Sequence, residues 1–172
     1  NEETEINGQG PAIGEADIKK LYEKLDTLSD GDILVLAGSI PDVMPGSMYM
    51  DIMKHLQNKD LKIVVDATKD LLVNVLQYHP FLIKPNNHEL GEIFGVKIGN
   101  KADVITYAKK MQEKGARNVL VSMAGDGAVL IAEDGSIFQS EAPKGKVVNS
   151  VGAGDSMVAG FIAGYLEDGS YG

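Results

Sequence analysis

The sequence predicts one α/β domain with a mostly parallel β-sheet, and two observations lead to this fold class. Over the first two thirds of the chain, short apolar runs such as "DILVLAG" (32–38) and "LKIVVDA" (61–67) alternate with segments of helical spacing. Parallel strands need crossover helices, and a strand covered on both faces is a nearly continuous apolar run. In the last third, three strands follow in quick succession, and the turn "EDGS" (133–136) joins the last pair.

Helices are predicted where apolar residues recur every three or four positions, as they do in "IKKLYEKLDTL" (18–28). Further helices are expected over 46–57, 69–78, 86–94 and 103–115, and Gly115 is expected to close the last of these as a C-terminal glycine. A final helix begins near Gly152. The remaining strands are expected over 81–84, 118–125, 127–133 and 136–141.

Composition limits the function classes. The 172 residues are 44% hydrophobic and 24% charged, which is ordinary for a soluble globular domain, and the net charge is -9. That charge argues against a surface that coats nucleic acid, but not against a small anionic ligand held locally by amides and a few cations. The chain has no cysteine, which excludes a disulfide frame and a thiol nucleophile and fits a cytoplasmic protein. No signal peptide is visible, and no apolar run approaches the ~20 residues that span a bilayer, so a membrane partner is not expected.

The unusual polar residues lie in loops that follow strands or begin helices. These loops are "AGSIP", "VDATK", "IKPNNHE", "SMAGDG" and "SVGAGD". In open parallel sheets, ligands bind beyond the carboxyl ends of the strands. The sequence therefore predicts a ligand site at that edge of the sheet.

The stretch "NSVGAGDSMVAGF" (149–161) places glycines at the start of the final helix, with Asp155 directly after them. The first N–H groups of a helix lack intrahelical partners, and glycine lets a ligand approach them closely, so the stretch predicts an anion cradle. A carboxylate beside an anion is unfavourable unless it has a task, such as accepting a proton from an attacking hydroxyl. The alternative is that Asp155 is only a favourable acid in a first helical turn.

At this point the chain resembles a known family. "VGAGDSMVAGF" is similar to the signature of ribokinase-like sugar kinases of the phosphofructokinase-B type, in the branch that includes 1-phosphofructokinase and tagatose-6-phosphate kinase. Five further stretches match in order, which are "TEINGQGP" (4–11), "GSIP" (38–41), "VDAT" (65–68), "KPNNHEL" (84–90) and "VSMAGDGAVL" (121–130). The resemblance covers essentially all 172 residues and implies a three-layer αβα fold.

The resemblance implies an ATP-dependent sugar-phosphate kinase that uses Mg²⁺. Asp155 is implied as the catalytic base, and the amides of Gly152, Ala153, Gly154 and Asp155 as the anion hole. Asn86 and Glu89 match an N-x-x-E element that orders Mg²⁺ largely through water. From the residues alone, the same pair could instead be a helix cap, with Asn86 and Glu89 as a capping box.

The resemblance also assigns the two substrates to loops. Lys84 is implied near the nucleotide phosphates, Ser122, Gly125 and Gly127 against ATP, and Gly38 and Ser39 at the sugar phosphate. Asp66 ends a strand at the same cleft, where a supporting role and a structural role are both open. Ala124 departs from the glycine that many members have, and Asn149 departs from a common aspartate.

The chain is expected to be part of a kinase domain. It begins without Met and stops just after a helix, and residues 1–11 are expected to return from a lid whose strands, with the first sheet strands and the last helices, lie outside this sequence. The expected reaction converts fructose 1-phosphate to fructose 1,6-bisphosphate, with tagatose-6-phosphate kinase as the alternative. A truncated, non-catalytic anion-binding module is the rival of another class. The expected partner is a small sugar phosphate, a homodimer through the lid remains open, and the isolated chain is expected to be weakly active or inactive.

Overall fold

The structure is a computed structural model that describes residues 12–41, 43–147 and 151–171. Six α-helices and six β-strands lie within these residues. In chain order they are α1 (Glu15–Asp26), β1 (Ile33–Ala37), α2 (Met48–His55), β2 (Lys62–Asp66), α3 (Lys69–Val75), β3 (Leu82–Ile83), α4 (Asn87–Phe94), α5 (Lys101–Glu113), β4 (Asn118–Ser122), β5 (Ala128–Ile131), β6 (Ile137–Ser140) and α6 (Ala153–Asp168). Short 3₁₀ turns follow α3 and β4.

The six strands form one sheet whose spatial order is the order of the chain. Strands β1 to β4 are parallel, and each is connected to the next through helices. Strands β5 and β6 run antiparallel to their neighbours, and Gly135 supplies the left-handed residue (φ 88°) of the turn between them. The predicted mostly parallel sheet is confirmed.

Helices cover both faces of the sheet, so the domain has three layers. Helices α1 to α5 pack on one face, where the larger hydrophobic core includes Val65, Ile83 and Val121. Helix α6 packs on the other face against Val64 and Leu82. Neighbouring residues of one strand thus serve different cores because successive side chains point to opposite faces. This burial on both sides explains the apolar runs of β2 and β4. The expectation that β1 is covered on both faces is wrong in part, because Val35 in that strand is 43% exposed.

The expected helices and strands are all present, and their ends differ by a few residues. Helix α1 begins three residues earlier than the apolar stripe suggests, because Asp17 accepts a hydrogen bond from the Gly14 amide and completes the N-terminus. Helix α5 ends at Glu113 with Lys114 as its cap, and Gly115 follows in a left-handed conformation (φ 129°). A Cβ on Gly115 would lie 2.0 Å from the Leu76 carbonyl oxygen, so this position requires glycine.

Two further expectations from the sequence concern the lid exit at 1–11 and the absence of a membrane-spanning segment. The expected lid exit at 1–11 lies outside the residues that the structure describes. Among the helices of the described part of the chain, none has both the length and the apolarity to cross a membrane.

A polar cluster fastens the sheet at the end where β4 begins. The Arg117 guanidinium donates two hydrogen bonds to the Glu133 carboxylate, at 2.5 and 3.0 Å, and lies 5.2 Å from the centre of the Phe81 ring. Tyr171, beyond α6, donates its hydroxyl hydrogen to the same carboxylate and stacks on Tyr165. The hydrogen bond from Arg117 holds the pKa of Glu133 below its ordinary value of 4.5. The cluster therefore ties the end of α6 to the sheet.

Replacing Glu133 by glutamine should lower the free energy of unfolding of the full-length natural protein by about 1 kcal/mol at pH 7. A bidentate ion pair stabilises more than a simple surface ion pair, but solvent around this pair weakens the attraction between its charges. Because the folded-state pKa of Glu133 is depressed, its contribution is present above the unfolded pKa and is lost as the pH falls through the folded value. Urea unfolding of both proteins between pH 7 and pH 3 measures this. Glu141→Gln, at an exposed position, is the control, and a difference that stays constant with pH would contradict the assignment.

Candidate active site

Four loops meet at the carboxyl edge of the parallel strands. The Gly38 amide, after β1, donates to the Asp66 carbonyl at the end of β2 (3.2 Å), and the Lys84 amide, after β3, donates to the Val65 carbonyl (3.4 Å). Ser122, at the end of β4, donates its amide hydrogen to the Pro85 carbonyl (3.2 Å). The loops that the sequence analysis singled out are therefore neighbours, as the topology of a parallel sheet requires.

Helix α6 begins at this same edge. Gly152 precedes it in a left-handed conformation (φ 78°), which glycine adopts without strain. The Ser156 amide and hydroxyl both donate to the Gly152 carbonyl at 2.9 Å, which fixes the first turn. An α-helix leaves its first N–H groups without intrahelical partners and carries about half a positive charge at this end. Asp155 lies in that turn and is exposed.

An ion pair lies directly under the first turn of α6. Lys84 Nζ is 3.3 Å from Asp66 Oδ1, and the exposed fractions of the two side chains are 9% and 20%. A Cβ built on Gly154 would lie 3.0 Å from Lys84 Nζ and 3.9 Å from Asp66 Oδ2. A side chain at Gly154 would therefore crowd the lysine head group, which would have to shift to make room for it. This contact brings the predicted Lys84 and the predicted anion hole together.

The electrostatics of Asp66 reflect this position. Burial raises the pKa of the Asp66 carboxyl above its ordinary value, the Lys84 charge and hydrogen bond oppose the rise, and the Asp155 carboxylate adds to it. Two carboxylates and one ammonium thus interact at the start of α6.

Asn86 and Glu89 form a reciprocal cap at the N-terminus of α4. Asn86 Oδ1 accepts hydrogen bonds from the amides of His88 and Glu89, both at 2.9 Å, and Glu89 Oε2 accepts one from the Asn86 amide at 2.8 Å. The capping box that the residues alone allowed is present. Asn86 also pairs with Ser122 as an isolated bridge, which places the cap beside the β4 loop.

The small number of nearby ligand side chains limits how Asn86 and Glu89 could bind a magnesium ion. No group of three or more acidic or histidine side chains suited to a metal occurs in the described part of the chain. A closed cage made of protein ligands is therefore not what these residues offer. Mg²⁺ in proteins keeps several waters and often takes only one or two carboxylates with the substrate phosphates. The residues fit that mode, since Glu89 would supply the one carboxylate and would hold the ion through water.

The loop from Ser122 to Gly127 contains two glycines with different surroundings. Gly127 (φ 86°) leaves no room for a Cβ, which would lie 1.9 Å from the Ser140 carbonyl oxygen. Gly125 is exposed, and a Cβ there would meet nothing within 4 Å. Ala124, between Ser122 and Gly125, has φ 48°, in the region that favours glycine. Of the two predicted nucleotide-loop glycines, Gly125 is the one that leaves an open surface.

The Gly38–Ser39 loop is held by a residue that the sequence did not single out for this role. The Tyr49 hydroxyl, on α2, donates to the carbonyls of Ala37 (2.7 Å) and Gly38 (3.2 Å). Burial, and then the Asp66 charge, raise the pKa of Tyr49. In the sequence Tyr49 is indistinguishable from the other apolar residues of its helix, so its periodicity indicates a core position only. Ser39 is exposed at the end of this loop.

Two cavities in the described residues are lined by residues other than Lys84, Asp66, Gly154 and Asp155. One cavity, of about 360 Å³, lies along α4 and the loop after it, and the other, of about 280 Å³, lies near the start of β2. The candidate site therefore lies apart from these two cavities, at the sheet edge where Asp155 is exposed.

The fold and the site define the chain as a three-layer α/β protein with a glycine-rich helix N-terminus at its sheet edge. Residues 1–171 match the family described as pfkB family carbohydrate kinase, and the chain belongs to that family. The resemblance drawn from the motifs is thereby confirmed.

Several curated proteins are similar to this chain. A 1-phosphofructokinase of Bacillus subtilis is 48% identical over 163 residues, which are 95% of this chain and 54% of that protein. A D-tagatose-1-phosphate kinase of Bacillus licheniformis is 35% identical over 161 residues, covering 93% of this chain and 53% of that protein. The chain thus spans about half the length of the curated relatives it matches.

Solved structures agree with the fold. A crystal structure from Staphylococcus aureus, of a protein assigned as a phosphofructokinase, aligns with a TM-score of 0.86 and 42% identity over 95% of this chain and 53% of that one. A ribokinase of Arabidopsis thaliana aligns with a TM-score of 0.68 and 20% identity over 94% of this chain and 49% of that one. The ribokinase-like fold class is confirmed.

Replacing Gly127 by alanine should destabilise the full-length natural protein by about 3 kcal/mol, because the new Cβ overlaps the backbone after β6 and the positive φ disfavours a side chain. Gly125→Ala is the matched control in the same loop and should change stability by less than about 0.5 kcal/mol. Urea unfolding measures both. Equal losses would show that the two glycines are not distinguished by packing.

Proposed function

We propose that the full-length natural protein is an ATP-dependent kinase that phosphorylates a sugar phosphate, and that this chain supplies its phosphoryl-transfer edge. The observation that carries the proposal is the start of α6, where Gly152 precedes the helix, Gly154 lies against the Lys84 ammonium and Asp155 stands in the same turn. Membership of the carbohydrate kinase family supports it. The curated relatives named as kinases of ketose 1-phosphates support it as well.

Each group has a task in the proposed reaction. Asp155 accepts the proton of the sugar hydroxyl while that oxygen forms a bond to the γ-phosphorus of ATP. The bond between the γ-phosphorus and the bridging oxygen of ADP breaks as ADP leaves. The amides of Gly152, Ala153, Gly154 and Asp155 hold the charge on the transferring group, because N–H dipoles fixed in place need no reorganisation during the step.

The two substrates approach from opposite sides of α6. Lys84, Ser122, Gly125 and Gly127 form the nucleotide side, with the lysine ammonium near the phosphates. Gly38 and Ser39 form the sugar side, on the loop that Tyr49 holds. Asn86 and Glu89 would hold Mg²⁺ through water at the nucleotide side. When bound there, the ion would neutralise charge on the ATP phosphates.

Fructose 1-phosphate is the proposed acceptor, with fructose 1,6-bisphosphate as the product. The name of the Bacillus subtilis relative supports this choice. The name of the Bacillus licheniformis relative supports a ketose 1-phosphate as the class and keeps tagatose phosphates in the panel to be tested. The residues that distinguish these sugars are expected outside this chain.

Replacing Asp155 by asparagine in the full-length natural protein should lower kcat by about 10²- to 10⁴-fold, because the proton acceptor is lost. ATP affinity should change little, since the anion-hole amides remain. A coupled assay of ADP release, run with a panel of ketose phosphates and beside an ATP titration, measures both effects. Glu15→Gln removes an exposed acid from the first turn of α1 and controls for the loss of a helix-terminal charge.

Three outcomes separate the alternatives. Turnover of Asp155→Asn at the wild-type rate would make Asp155 only a favourable helix acid and would contradict the catalytic role. ATP binding by the unsubstituted full-length protein without phosphorylation of any sugar in the panel would favour the non-catalytic binding module. Preference for a tagatose phosphate would keep the kinase and replace the acceptor.

A further inference from the structure

The Asp66–Lys84 pair occupies a place that stability alone does not explain. Lys84 as a whole residue is 7% exposed, and no other charged residue among the described ones is as deeply buried. Its ammonium lies against the first turn of α6, as the 3.0 Å distance from Nζ to the Gly154 Cβ position shows. That end of a helix carries partial positive charge and favours anions, so a cation is disfavoured there.

The pair also carries a desolvation cost. Burial raises the pKa of Asp66, which means that its charged form is less favourable here than in water despite the ammonium beside it. Buried ion pairs in general offset most of their attraction by desolvation, and apolar replacements are often as stable. A buried cation, placed at the positive end of a helix and balanced by one carboxylate, is therefore better explained by an anion that binds at that helix end.

The surroundings of Asp66 limit what else it can do. Lys84 on the β3 loop contacts its carboxylate, Asp155 on α6 raises its pKa by charge repulsion, and the Tyr49 hydroxyl on α2 lies near enough for Asp66 to raise the pKa of that hydroxyl. Of these three groups only Lys84 is a cation, and its ammonium contacts the Asp66 carboxylate. The backbone of Asp66 is held as well, because its carbonyl accepts from the Gly38 amide at 3.2 Å.

We propose that Asp66 is a positioning residue, whose carboxylate holds the Lys84 ammonium at the first turn of α6, in place for the phosphoryl group that binds there. The proposal rests on the proposed kinase function. In the resting protein Asp66 balances the lysine charge next to the helix end. When the phosphates arrive, the ammonium is already in position, and no side-chain entropy has to be lost to order it.

The competing explanation is that Asp66 binds the sugar directly. The Gly38 loop, which carries the proposed sugar side, hydrogen bonds to the Asp66 backbone, so this alternative has a structural basis. The two explanations differ in whether the contribution of Asp66 to the reaction depends on Lys84. A positioning residue loses its effect when the lysine is gone, whereas a sugar ligand keeps its own contribution.

A double-mutant cycle in the full-length natural protein tests the proposal. Asp66→Asn should lower kcat by about tenfold, which is a modest loss because Asp66 orients the lysine charge and does not itself stabilise the transition state. The KM for the sugar phosphate should change by less than about threefold. In a Lys84→Met background, the same substitution should have no further effect. Asp60→Asn, at the exposed other end of β2, is the matched control and should leave both constants unchanged.

The outcomes decide in both directions. An equal loss of kcat in both backgrounds, or a rise in the sugar KM with kcat retained, overturns the proposal in favour of direct sugar binding. A normal Asp66→Asn enzyme overturns it too. Should Asp66→Asn fail to fold while Lys84→Met folds, Asp66 has a structural role that is independent of the lysine, and the proposal is wrong.

A second measurement is independent of turnover, so that failure of the kinase function and failure of this inference can be told apart. The protein is labelled with ¹³C at lysine Cε, and the Lys84 signal is assigned by its loss in Lys84→Met. In the unsubstituted protein this signal should be separate from those of exposed lysines, and in Asp66→Asn it should move to their position. A Lys84 signal that is unchanged by Asp66→Asn overturns the proposal, whether or not any sugar is phosphorylated.

Discussion

The contact between the Lys84 ammonium and the first turn of α6 is the constraint on which the rest of the site depends. It joins a residue after β3 to the start of a helix nearly seventy positions later in the chain. Asp66 balances the ammonium from the end of β2, and Gly154 leaves the space for it. Three separate segments are thereby held in one arrangement, and each contributes a different kind of group, namely a cation, an anion and bare backbone.

The layers of the fold explain how these three segments are held together. Helices α1 to α5 pack on one face of the sheet and bury the strands that end in the site loops, while α6 packs on the other face. At the far end of α6, the Arg117–Glu133–Tyr171 cluster fastens the residues after the helix to the sheet. Helix α6 is therefore in contact with the rest of the domain near both of its ends, and its direction sets the direction of the N–H groups at its start.

Several site elements serve the structure and the proposed chemistry together. Asn86 and Glu89 complete the cap of α4, and the same two residues are the proposed magnesium element. Gly127 is needed for close packing against the end of β6, although the motif places it in the nucleotide loop. A glycine or an N-x-x-E pattern in a motif is therefore not by itself evidence of ligand contact. The environment of each residue has to be known, as the difference between Gly125 and Gly127 shows.

The sequence by itself determined the α/β class, the order of helices and strands and the edge at which polar residues gather, because strand burial on both faces and helical periodicity are local patterns. It also pointed to Asp155 and the glycines of the α6 turn, and to Lys84, as candidate site residues through two motifs that are each contiguous in the chain. Asn149, which departs from the motif, lies outside the described residues. Only the tertiary structure decided that Asp66 pairs with Lys84 and that Tyr49 holds the Gly38 loop. These contacts join segments that are distant in sequence, and neither a strand-end aspartate nor a tyrosine on an apolar helix face carries a local signal of its partner.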